Sequence, residues 1–299
     1  MVDDLAMPVP DSDFPQLFVA ADHASTHGQK LYLRGTRLRL LLVVGAAGCG
    51  IGQWRVGSSH DDLLGLLAVV LFVLAVLLEG VLWKRRPERD WYDGRALAES
   101  VKTLAWKFAV CGDPFPISMP DQLAVGQFIE LLNELRKPYQ GLTLSPVPGE
   151  AVTGWMSQLR RSSISVRCRS YLEDRVEDQQ RWYTVNATKN GRLAAMWRTI
   201  LIGLELVGAL TALLESLTRN DLRFTPVLAA SVGAVVAWLE TKQHEQMASA
   251  YSTAVADLGN VRSKLKMVSD EQAWAREMSD AEEAISREHT LWRASRSQL

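Results

Sequence analysis

Cysteine is scarce, with only Cys49, Cys111 and Cys168 in 299 residues. Three scattered thiols build neither a disulfide framework nor a paired redox motif. An excess of one charge is also missing, since 33 basic residues face 34 acidic ones for a net charge of −1. That balance excludes a polycationic nucleic-acid binder, and a 47% hydrophobic content excludes a disordered tail. Five histidines are spread along the chain, of which only His23 and His27 share an i,i+4 spacing. No HExxH or CxxC completes a ligand set, so no metal is expected. Gly45, Gly48, Gly50 and Gly52 lack the lysine of a phosphate loop, and no serine sits in a glycine elbow. The reading is of a chain with no catalytic residues, no cofactor, no nucleic-acid partner and no enzyme activity.

Long apolar runs are what the sequence does have. LLGLLAVVLFVLAVLLEGVLW, between Asp62 and Lys84, carries one charge, Glu79, and meets the ~20-residue length of a bilayer crossing. RLRLLLVVGAAGCGIGQW precedes it, across a short polar turn, so the pair reads as a hairpin. A second pair follows at Thr199 to Leu217 and Phe224 to Leu239. Trp54, Trp83, Trp197 and Trp238 fall at span ends, where indoles favour the headgroup layer. Arg34, Arg37 and Arg39 precede the first hairpin, and Lys84, Arg85, Arg86 and Arg89 follow it. Lys189, Arg192 and Arg198 precede the second, Lys242 follows it, and its turn carries Arg219 and Arg223. By the positive-inside rule both termini are cytoplasmic. The acidic, proline-bearing start MVDDLAMPVPDSDFP does not read as a cleavable signal. The expected fold class is an all-α integral membrane protein, with four transmembrane helices in two hairpins and long cytoplasmic helical extensions.

The cytoplasmic portions show helical periodicity. Gly94, Ala98, Val101, Ala105 and Phe108 share one face, while Arg95, Glu99 and Lys102 are spaced for ion pairs on another. Gly112, Pro114 and Pro116 end that helix. Asp121 caps a second, over Gln122 to Lys137, and PYQGLTLSPVPG at 138–149 reads as a linker. From about Ser163 to Leu217 only glycines interrupt a helix, so the third span continues a long cytoplasmic one. Beyond the fourth span, Tyr251, Ala254, Leu258, Val261, Leu265 and Val268 form a seam at spacings of three and four. That seam suits a subunit interface or an intramolecular bundle, and an unbroken helix from Phe224 to Val268 would be about 65–70 Å long. The two halves show no residue-by-residue repeat.

The resulting divisions are an N-terminal segment 1–37, a first unit 38–137 with spans at about 38–54 and 63–83, the linker 138–149, and a second unit 150–299 with spans at about 199–217 and 224–239. Trp91, Tyr92, Arg95, Glu99, Lys102, Trp106, Pro114 and Phe115 belong to a pattern, W-Y-x-x-R-A-x-A-E-S-x-K-x-x-x-W-K-F-x-x-x-G-x-P-F, that resembles the SLATT family. These are the SMODS and SLOG-associating two-transmembrane effector domains of bacteria. The second half, with its long entry helix through Glu173 to Trp182 and its exit helix bearing Tyr251, resembles a second SLATT unit. The resemblance implies a pore-forming or membrane-disrupting effector of conflict systems, triggered by a separate nucleotide synthase or ligand-sensing partner. It brings no catalytic residues.

Candidate functional residues are the carboxylates within the spans. Glu79 and Glu215 lie close to helix ends and can snorkel to water, whereas Glu205 is six residues inside, ~9 Å deep by helix rise. Glu205, Gly208, Ala212 and Glu215 share one face, suited to helix packing or a water-lined, cation-conducting path. Gly45, Gly48, Gly52, Gly208, Ala212 and Gly233 are candidates for close helix packing in a homo-oligomer within membrane lipid. Arg160, Arg161, Arg167 and Arg169 suit an anion site or, more simply, a solvated helix face. A non-conducting membrane-anchored sensor or interaction protein and a small cation-coupled transporter remain open as alternatives.

Overall fold

A computed structural model describes residues 9–52, 62–218, 223–268 and 270–296. Trp54 and Arg219 lie outside them. Helices make up the regular structure, and no strand occurs among the described residues. In chain order they are α1 (Gln16–Gly48), α2 (Leu63–Arg85), α3 (Pro87–Ala109), α4 (Asp121–Arg136), α5 (Gly154–Arg160) and α6 (Ile164–Ser170). A π-helical turn (Tyr171–Glu177) then leads without a break into α7 (Asp178–Leu217). It is followed by α8 (Thr225–Lys242), α9 (His244–Leu265) and α10 (Glu271–Arg296). Leu63–Ala109 and Ile164–Leu217 each contain a segment long and apolar enough to cross a membrane, and those segments are 6% and 0% buried.

Two compact units result, and neither is a half of the sequence. One comprises Met1–Gln29, Glu88–Ala187 and Ser249–Leu299, and the other Lys30–Pro87 and Thr188–Ala248. In the second unit, antiparallel neighbours follow from residue pairs that run in opposite directions. Gly35 faces Leu82, Arg39 pairs with Glu79, and Gly45 faces Leu71, which joins α1 to α2. Arg37 lies 4.7 Å over the Trp238 ring and Gly48 faces Val227, joining α1 to α8. Trp197 meets Trp238 at 6.5 Å and Gly208 faces Leu228, joining α7 to α8. Trp238 is therefore buried between its neighbours, whereas Trp83 is 76% exposed.

The first unit has the hydrophobic core. The α3 face expected from spacing is the buried one, with Ala98, Val101, Ala105 and Phe108 inside together with Leu97 and Trp106. Gly94 is required there, because a Cβ would sit 2.8 Å from the Ser25 nitrogen and 2.9 Å from the Ala21 carbonyl oxygen on α1. Phe14, Trp155, Trp106, Tyr171 and Trp274 continue the packing, with successive ring centroids 5.2–6.1 Å apart.

α1 begins at Gln16, so much of the segment before residue 38 is helical. One expectation needs correction. No single helix joins Phe224 to Val268, because Gln243 is left-handed (φ 47°) and separates α8 from α9. Arg86 is left-handed in the same way (φ 46°) between α2 and α3. Each closes its helix by donating its N–H to the carbonyl four residues back, Leu82 for Arg86 and Leu239 for Gln243, both at 2.8 Å.

This pair of matched ends reveals a register that the sequence hides. A shift of 157 residues, the difference between 243 and 86, carries Leu97 onto Ala254, Val101 onto Leu258 and Phe108 onto Leu265. All six are buried. The same shift carries Gly94 onto Tyr251, whose ring lies 5.2 Å from Trp182 and 5.4 Å from Tyr183. At Gly94 two helices meet backbone to backbone, whereas Tyr251 joins an aromatic cluster.

Candidate functional site

Two groups of charged residues stand out, one on the apolar helices and one inside the core of the first unit. On the apolar helices, Glu79 is ion-paired with Arg39. Glu215 caps α8, accepting from the Phe224 N–H at 2.6 Å, the Thr225 N–H at 3.1 Å and the Thr225 hydroxyl at 2.9 Å. Glu205 is exposed and has no hydrogen-bond or ion-pair partner among the described residues. Its surroundings are apolar, with Ile202 50% and Leu206 67% exposed on the same helix. Gly208 approaches Leu228, Ala212 is exposed, Gly233 has open space around its α-carbon, and Gly52 lies in the bend after α1.

The core of the first unit buries charge, which the sequence reading missed. Glu282 on α10 is fully buried and accepts four hydrogen bonds. Arg175 supplies two, at 2.9 and 3.0 Å, the Tyr171 hydroxyl one at 2.9 Å and the Thr103 hydroxyl one at 2.7 Å. Burial alone would depress the Arg175 guanidinium, but Glu282 outweighs it and holds the group above its ordinary value. Burial, with the Glu282 charge added, pushes the Tyr171 phenol well up. Both Tyr171 and Arg175 belong to the π-helical turn, a geometry that concentrates at functional positions.

Arg160 and Arg167 are also buried, so the solvated-face reading fails for these two, while Arg161 and Arg169 are exposed. Arg160 Nη1 donates to the Phe115 carbonyl at 2.8 Å and its Nη2 to the Pro116 and Met119 carbonyls at 3.2 Å, while Nε reaches Asp121 at 3.3 Å. Arg167 Nη1 donates to the Val110 carbonyl at 3.0 Å, which also accepts from the Trp274 indole at 2.7 Å, and Arg167 pairs with Glu271. These contacts gather the chain reversal after α3, where Cys111 is left-handed (φ 61°). Burial raises the Cys111 and Cys168 thiols above their ordinary values.

The α3 pattern residues serve the same core. Arg95 pairs with Glu99 at 2.8 Å, Trp91 stacks on Tyr92 at 4.9 Å, and Lys102 lies 5.0 Å over the Phe14 ring. Trp106 and Phe115 are buried, and Pro114 lies in the loop that Arg160 holds. The seam is internal too, with Ala254, Leu258 and Leu265 in the core and Tyr251, Val261 and Val268 packed against it.

Residues 15–168 match the family described as SMODS and SLOG-associating 2TM effector domain 3. Residues 171–292 match SMODS and SLOG-associating 2TM effector domain 1. The chain belongs to the SLATT family. It carries two SLATT domains in tandem, and the second match begins at the first residue of the π-helical turn. No curated protein and no solved structure matches the chain. At the level that the family description and the apolar helices support, it is a helical membrane effector. Among the described residues no three His, Cys, Asp or Glu side chains group to hold a metal ion.

The missed charges had a sequence signal. Trp274, Met278, Ala281 and Ile285 form a helical apolar stripe that Glu282 interrupts, and Arg175 interrupts another formed by Tyr171, Leu172 and Val176. Opposite charges inside two apolar stripes mark a buried pair.

Proposed function

We propose that this SLATT protein is an oligomeric, cation-conducting pore or membrane-disrupting effector of a bacterial conflict or defence system. α1, α2, α7 and α8 cross the inner membrane as two hairpins, with both termini cytoplasmic. The observation that carries this reading is Glu205, exposed and unpaired among the described residues on the most apolar part of α7. A carboxylate at that depth is costly against lipid, about 2.5–3.5 kcal/mol on insertion scales, so in a bilayer it faces water or a second copy. The broad apolar exposure of α2 and α7 leaves surface for lipid and for further subunits. The seam of α9 is occupied within the chain, so the subunit contact is assigned to the spans.

Because Glu79 and Glu215 have partners, Glu205 is the group placed to set selectivity. Its negative charge in each subunit would favour cations as acidic rings do in cation channels. A separate nucleotide synthase or ligand-sensing protein supplies the trigger. Purified protein in planar bilayers tests the reading. Stepwise currents with a cation preference that Glu205→Gln reduces support it, and silence at high protein density refutes conduction in favour of a membrane-anchored sensor. Coupled uptake without steps would instead indicate a transporter.

A further inference from the structure

The first unit has a groove of about 600 Å³ bordered by α6, the π-helical turn and the end of α9. Its volume suits a small molecule. Ser165, Arg169, Glu173, Glu177, Arg262 and Lys266 supply its polar lining, so three cations face two carboxylates. One carboxylate is already engaged, because Arg262 pairs with Glu177. The Arg262 Nε–H is buried and has no acceptor among the described residues. Arg169 and Lys266 are exposed, and neither side chain has a hydrogen-bond or ion-pair partner among the described residues. A guanidinium fork with an unused donor, a second guanidinium and an ammonium therefore converge on one cavity with a net positive charge. We propose that this groove is a binding site for a small phosphate-bearing anion, held by Arg169, Arg262 and Lys266.

Phosphoryl oxygens suit this donor set better than a lone carboxylate, since they accept from several directions at once. Two of the lining residues, Glu173 and Glu177, belong to the π-helical turn that continues into α7. A ligand that recruits Arg262 competes with Glu177 for it and so acts directly on the turn. π-Helical turns are rare and concentrate at functional sites. Through the turn, the site would bias the conformation of α7, the helix that carries Glu205. That regulatory role rests on the proposed pore, whereas the binding site does not.

The shared chemistry has two sources, a free phosphorylated compound or an anionic lipid headgroup. Isothermal titration of full-length protein with pyrophosphate in neutral detergent reads the first. Saturable one-site binding is expected, weakened at least tenfold by the double substitution Arg169→Ala with Lys266→Ala and unchanged by Arg161→Ala, which lies outside the groove. Nanodiscs containing phosphatidylglycerol read the second. Loss of pyrophosphate binding there, but not in zwitterionic nanodiscs, assigns the groove to headgroups. Absence of saturable binding in both detergent and zwitterionic nanodiscs overturns the proposal, as does binding that the double substitution leaves intact. Circular dichroism of each variant separates lost binding from lost folding, and Lys266→Arg should retain affinity. Currents with and without pyrophosphate are recorded alongside. Binding without conduction upholds the site and refutes the pore.

Discussion

Replacing Glu282 by leucine should be among the most damaging single changes in this protein. The substitution removes the acceptor of four hydrogen bonds and leaves the Arg175 guanidinium, 2% exposed, without its ion-pair partner and with only the weaker influence of Glu99. Breaking a buried ion pair by deleting one partner costs about 3–5 kcal/mol, because the remaining charge stays desolvated. For a unit of roughly 150–250 residues, each kcal/mol lowers Tm by about 2–4 °C, so a fall of roughly 6–20 °C is expected. The double variant Arg175→Met with Glu282→Leu removes both charges and keeps apolar volume, which should recover most of the loss. Glu282→Gln keeps the size and part of the hydrogen bonding and should fall between. Thermal unfolding followed by circular dichroism, in one mild detergent at a fixed scan rate, gives the comparison. A Glu282→Leu shift below about 2 °C, or a double variant no more stable than the single one, would refute the buried-charge reasoning.

Gly94→Ala should destabilise by about 1–3 kcal/mol, since its new methyl meets α1 backbone rather than a movable side chain. Gly126→Ala, on the exposed face of α4 with open space around it, should instead stabilise by about 0.5–1 kcal/mol, and chemical denaturation measures both. Burial, and then the Lys242 charge, lower the pKa of His244, which lies 2.7 Å from Asn190. Its unfolded form takes up a proton more readily, so its contribution is present above pH ~6.5 and lost as pH falls through the lower folded value. Unfolding scans from pH 7.5 to 5 should therefore show a loss of Tm that is smaller in His244→Gln. In a salt gradient, Glu205→Gln should shift the reversal potential toward lower cation preference while the oligomer mass in detergent stays the same; an unmoved potential rules out Glu205 as a pore-lining group.

Apolar periodicity was readable wherever a helix presents one face to a core. The α3 positions from Ala98 to Phe108 and the α9 positions from Tyr251 to Val268 lie in or against one core. What spacing does not carry is the partner of each face, and so the α9 seam served equally for a subunit contact or an internal bundle. The start of α1 carries little apolar periodicity, because Asp22 and His23 follow the buried Phe18 and Ala21, and the next buried position, Ser25, is itself polar. The break at Gln243 has no local mark, whereas Arg86 precedes Pro87, which disfavours the right-handed helical region before it. Arg160 and Arg167 read as solvated because their acceptors are backbone carbonyls brought near only by folding. Glu205 was legible as a misplaced charge, but the partners of Glu79 and Glu215 depend on antiparallel pairing that a single helix pattern does not encode.

The 157-residue register between the two left-handed helix ends places the same demand on two helices of one unit, since Leu97 and Ala254, Val101 and Leu258, and Phe108 and Leu265 take matching buried positions after matching turns. Where matched positions differ, the packing differs with them, a backbone approach at Gly94 and an aromatic cluster at Tyr251. A side chain that suits one helix therefore does not transfer to its counterpart. Gly94→Tyr would copy the residue at the matched position, yet even its Cβ would collide with the α1 backbone.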